Sequence, residues 1–103
     1  MTIASIKALI AANPGKIVQA IMLDNAQYQV FSSGPYEDFD PNTMLQTIGG
    51  VEFLVQSQKV KESRFGRYAL TSIEYRPVED IQGIVFMDPN DAKLVDLKYI
   101  RGV

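Results

Sequence analysis

From Val51 onward the chain reads as four strand-like segments in succession, and this run constrains the fold more than any other feature. Val51, Phe53 and Val55 alternate with Glu52, Gln56 and Gln58 over "VEFLVQSQKV". Period-two alternation is the mark of a half-buried strand. "RYALTSIEYR" supplies the next strand, through Tyr68, Leu70, Thr71, Ile73 and Tyr75, and Pro77 ends it. "IQGIVFMD" is the third. In "KLVDLKYI", Val95, Leu97 and Tyr99 alternate with Asp96 and Lys98. That fourth segment also fits a helix capped by Asp88-Pro89, with Leu94, Leu97 and Ile100 inward. Val and Tyr favour the strand. Strands joined by short links run antiparallel.

The first half differs. "TIASIKALIAANPG" places Ile3, Ile6, Leu9 and Ile10 on one helical face. Thr2 is placed to cap the first amides, and Asn13-Pro14-Gly15 stops the helix. Ile17 to Leu23 is apolar on both faces, as in a central strand. Asp24-Asn25 turns it into a second strand through Tyr28, Val30 and Phe31. After the loop "GPYEDFDPN", Asp40-Pro41 reads as an N-cap and first helical residue. Met44, Leu45 and Ile48 form a short helical face, with Gly49-Gly50 as the helix end.

The expected architecture is α+β in a single domain over residues 1–103. It comprises an N-terminal helix, a β-hairpin, a short helix and a four-strand antiparallel meander, as a six-strand sheet or a part-closed barrel. Two helices of this length cannot cover both faces of six strands. Tyr68 and Tyr75, seven residues apart on one strand, point to opposite faces. A second copy of the chain is therefore expected to cover the remainder, making a homo-oligomer.

Composition removes several functions. The chain has no cysteine and no histidine, which excludes disulfides, thiolate metal sites and the common His-based catalytic dyads. Its longest uncharged apolar run falls far short of the ~20 residues of a membrane helix. Lys7 interrupts the N-terminal apolar positions, so no signal peptide is expected, and a cytoplasmic location fits. The net charge of −2 argues against binding duplex nucleic acid. No cofactor is indicated. Gly49-Gly50 lies between helix and strand, the reverse of a phosphate loop. Asp38, Asp40 and Asn42 start a calcium-loop pattern that fails at its sixth and twelfth positions, Thr43 and Gly49. Glu37, Asp38 and Asp40 could act as an acid–base group only after burial, so an enzyme is a lesser alternative.

One electrostatic anomaly remains. Residues 59–76 hold five basic side chains against Glu62 and Glu74, a local net of +3 in a chain of net −2. Arg64 and Arg67 flank Phe65-Gly66, beside Tyr68, Lys59, Lys61 and Arg76. Arginine grips phosphate and carboxylate in bidentate fashion, and an aromatic neighbour adds a stacking face. These seven residues, Lys59, Lys61, Arg64, Phe65, Arg67, Tyr68 and Arg76, form the candidate binding surface. Its partner would be an anionic small molecule or an acidic protein surface. Single-stranded nucleic acid is a further alternative. The plainer reading is a charged hairpin tip that resists aggregation, or a contact between subunits. The expected function is a non-enzymatic binding or assembly module.

Overall fold

The computed structural model describes residues 1–31, 39–57, 73–89 and 97–102. Helix α1 spans Ile3–Ala11. Thr2 Oγ1 accepts from the Ser5 N–H at 3.0 Å, and Ser5 Oγ accepts from the Thr2 N–H at 2.8 Å. This reciprocal pair satisfies two amides that a bare helix end would leave open. The Ile3 N–H donates to Glu52 Oε1 at 3.1 Å, which ties the helix start to a distant strand.

Strand β1 (Ile17–Leu23) pairs antiparallel with β2 (Tyr28–Val30), Ile21 facing Gln29. The turn between them closes through Ala26 N–H to Leu23 O at 2.9 Å, with Ala26 at φ 58°. Helix α2 is a single turn, Pro41–Met44. Asp40 caps it by accepting from the Asn42 N–H at 3.0 Å.

The helix expected to continue to Ile48 stops there. Leu45–Ile48 is strand β3, paired with β4 (Val51–Ser57) so that Ile48 faces Val51. Gly49-Gly50 is a two-residue hairpin turn, not a helix end. Its φ values of 57° and 80° are both positive, as a type I′ turn requires and as glycine adopts without a Cβ clash. Four residues of weak helical periodicity lose to a hairpin whose turn chemistry is this favourable.

Strand β5 (Ile73–Pro77) pairs with β4, Val55 facing Tyr75. Residues 58–72, which join them, lie outside the described residues. A 3₁₀ turn at Val78–Asp80 leads into β6 (Ile81–Met87), and β7 (Lys98–Arg101) pairs with β6. The strand alternative for the C-terminal segment therefore holds at Lys98–Arg101.

The fold is α+β with antiparallel strands, but they do not form one six-stranded sheet. A four-stranded sheet runs β2-β1-β6-β7 and a three-stranded sheet runs β3-β4-β5. No closed barrel forms among the described residues. The expected meander breaks between β5 and β6. Pro77 has no N–H to continue a ladder, and the 3₁₀ turn sends the chain to pair with β1. One core fills the space between the sheets and under α1. Ile6, Ile21, Phe31, Leu54, Ile84 and Phe86 are among its fully buried side chains. No helix among the described residues is long and apolar enough to cross a membrane.

Candidate functional site

Side chains directly opposite in an antiparallel pair share a face. In the three-stranded sheet, Leu45, Leu54 and Arg76 therefore lie on one side, as do Gln56 and Glu74. Ile48, Val51, Phe53, Val55, Tyr75 and Ile73 lie on the other. Leu54 is fully buried and Gln56 is 1% exposed, so their side faces the core. The apolar side faces outward. Tyr75 is 58% exposed, and Ile73, Val51 and Ile48 are exposed beside it. Phe53 and Val55 are half-buried among them. The alternation read from the sequence is real, but its apolar set points away from the core. Among the described residues of these strands, no charged side chain shares the outward side.

The inward side is unusually polar. Gln29 on β2 donates through Nε2 to Gln56 Oε1 on β4, across the gap between the sheets. Gln29 Oε1, Gln56 Nε2 and Arg76 Nε are buried without a hydrogen-bond partner. An unpaired buried amide or guanidinium nitrogen costs stability. The sheet thus tolerates polar groups inside while leaving aromatic and branched residues outside. Among the described residues, this inversion of the usual pattern is the feature that points most directly to a recognition surface.

A second outward feature lies on the four-stranded sheet. Tyr28, Tyr99 and Leu97 stand around a pocket of about 270 Å³. Ala20, Val85 and Gln19 complete its lining. The two tyrosine rings meet edge to face at 6.2 Å. Tyr99 lies over Gly83, where an added Cβ would sit 2.6 Å from Tyr99 Cε2. A glycine inside a strand marks such close approach. Gly83 within "IQGIVFMD" is the sequence signal for the close approach of Tyr99, and strand alternation alone does not reveal it.

Of the candidate binding residues, Arg76 alone is described. It is half-buried on the inward side of β5, facing away from the exposed stripe. Lys59, Lys61, Arg64, Phe65, Arg67 and Tyr68 lie outside the described residues. Of the two tyrosines expected on opposite faces, Tyr75 is exposed and Tyr68 lies outside the described residues.

No protein-family model, curated protein or solved structure matches this chain. The site has to be judged on its own chemistry. Asp40 serves as a helix cap, and no group of three or more His, Cys, Asp or Glu is gathered among the described residues. What the described surface offers is apolar contact area.

Proposed function

We propose that this chain is a non-enzymatic assembly module that uses the β4–β5 hairpin as its recognition surface and a second copy of itself as its partner. The observation that carries this reading is the inverted burial of the hairpin, with Tyr75 outside and Gln56 inside. Exposed apolar area costs about 25 cal/mol per Å² relative to burial. Aromatic residues without nearby charge are what interface centres are made of. The basic residues Lys59, Lys61, Arg64 and Arg67, between β4 and β5 in sequence, add long-range attraction for an acidic surface. An apolar stripe suits a protein surface better than a small anion, because among the described residues of these strands it carries no cationic side chain.

The test is the solution mass of the full chain at micromolar concentration, by light scattering and native mass spectrometry. The expected result is a multimer of the 11.5 kDa chain that dissociates in the Ile73→Asp/Tyr75→Asp variant. That variant should still fold and melt cooperatively, because both side chains are exposed. A wild-type chain that remains monomeric would overturn the reading.

A further inference from the structure

We propose that the free edge of β3 is a second self-contact: it pairs antiparallel with the β3 edge of another copy about a two-fold axis at Gln46, joining two three-stranded sheets into one. This contact uses the edge of the sheet and not the Tyr75 stripe on its face, so it goes beyond the reading above. Strand β3 ends the order β3-β4-β5, so one of its sides has no strand beside it. Helix α2 turns back toward β4 with Met44 buried, which leaves that side open. Gln46, Thr47 and Ile48 are all exposed.

The phase of the ladder fixes which backbone groups point out. The two-residue turn at Gly49-Gly50 makes Ile48 and Val51 a hydrogen-bonded pair. Bonded and non-bonded pairs then alternate along the strands. Gln46 therefore bonds Phe53, while Leu45 and Thr47 turn their N–H and C=O groups away from β4. Pro77 gives the same phase independently. It stands opposite Phe53, where the β4–β5 ladder needs no N–H. The outward groups of Leu45 and Thr47 make no hydrogen bond among the described residues.

The other described edges are guarded against pairing by the usual devices. Strand β5 ends in Pro77, β7 carries the exposed cations Lys98 and Arg101, and β2 is three residues long. Strand β3 reads Leu-Gln-Thr-Ile, with no charge and no proline. A second copy fits because this edge is its own complement. With the axis at Gln46, Leu45 of each copy exchanges both backbone bonds with Thr47 of the other, and Gln46 faces Gln46. Every outward group is paired and no like charges meet. Identical patches paired about a two-fold make an isologous interface.

The full chain carrying Ile73→Asp/Tyr75→Asp tests this, because it lacks the stripe and keeps the edge. Its mass is read by light scattering and native mass spectrometry at high micromolar concentration. A dimer is expected. A monomer overturns the edge contact and leaves the assembly reading standing. A mass equal to that of a multimeric wild type keeps the edge contact and overturns the stripe. A monomeric wild type overturns both. In the same background, Gln46→Lys opposes cation to cation across the axis, and Gln46→Glu opposes anion to anion. Both lose the same exposed bond from Gln46 Nε2 to the Thr43 carbonyl, so any difference on mixing comes from charge. On dilution, each variant alone should dissociate at a several-fold higher concentration than its parent, and the equimolar mixture at a several-fold lower one than either variant. A midpoint unmoved in either variant, or a mixture no tighter than its components, overturns the axis. Thr47→Pro removes one outward N–H and no bond to β4, and it too should weaken the dimer. An unchanged dimer in that variant overturns the backbone pairing.

Discussion

Phe53 and Tyr75 meet edge to face on the outward side of the three-stranded sheet, their ring centroids 6.2 Å apart and their planes at 89°. They are diagonal neighbours two residues apart in register, because Val55 is the direct partner of Tyr75 and Pro77 that of Phe53. The pair is held by the backbone ladder of β4 and β5, not by the core. A double-mutant cycle of Phe53→Leu and Tyr75→Leu should give a coupling of ~0.5–1.5 kcal/mol, the range for such ring pairs. Chemical denaturation at a concentration where the mass is constant measures it. Strictly additive losses would show that the rings do not interact in solution.

Gln29 Nε2 donates to Gln56 Oε1 across the gap between the sheets, while Gln29 Oε1 and Gln56 Nε2 have no partner. Gln56→Leu strands the buried Gln29 amide and should cost ~1–3 kcal/mol. The double variant Gln29→Leu/Gln56→Leu removes both partners and should recover most of that loss. Urea melts of the three variants decide it. A double variant that loses the sum of the singles would mean that the amides serve other partners.

Gly50 lies at φ 80°, where a side chain is strained although nothing is within 4 Å of its added Cβ. The cost of Gly50→Ala is therefore conformational, about 1–2 kcal/mol. Gly49→Asn should be milder, since asparagine is common in type I′ turns. Equal losses at the two positions, read from the same melts, would argue against this turn type.

At Gly83 the limit is space. An added Cβ would meet the Ile100 carbonyl oxygen at 2.6 Å and Tyr99 Cε2 at 2.6 Å. Gly83→Ala should cost ~1–3 kcal/mol, as overpacking does. Removing the ring with Tyr99→Ala should rescue only part of it, because the carbonyl belongs to the ladder of β7. Full rescue, seen as no further loss when Gly83→Ala is added to Tyr99→Ala, would place the whole clash on the ring.

Ala26 holds φ 58° in the β1–β2 turn. A left-handed residue with a Cβ costs ~1–2 kcal/mol, and glycine gives back ~0.5–1 kcal/mol through its freer unfolded chain. Ala26→Gly should therefore raise stability by up to about 1.5 kcal/mol, the difference of those two terms. A lower melting temperature for this variant would contradict it.

Local chemistry wrote several elements into the sequence. Thr2 and the Asn13-Pro14-Gly15 stop bound α1. Asp40-Pro41 starts α2, and Asp24-Asn25 turns β1 into β2. These depend on residues within a few positions of one another, so neighbours in sequence suffice to specify them. Alternation likewise determined that Val51, Phe53 and Val55 share a side. It could not say which side is inward, because that depends on what packs against β4 from far along the chain. Gln29 arrives from β2, and α1 is tied to Glu52. Only those long-range contacts place Gln56 inside and Tyr75 outside. The division into two sheets is of the same kind: β6 matches β1 over almost its whole length, and that non-local pairing prevails over the short link from β5. Neighbouring residues specify β1, β2, β4 and their two-sidedness but not β3, which reads locally as helix, while tertiary packing decided which side meets water and hence which surface is left for a partner.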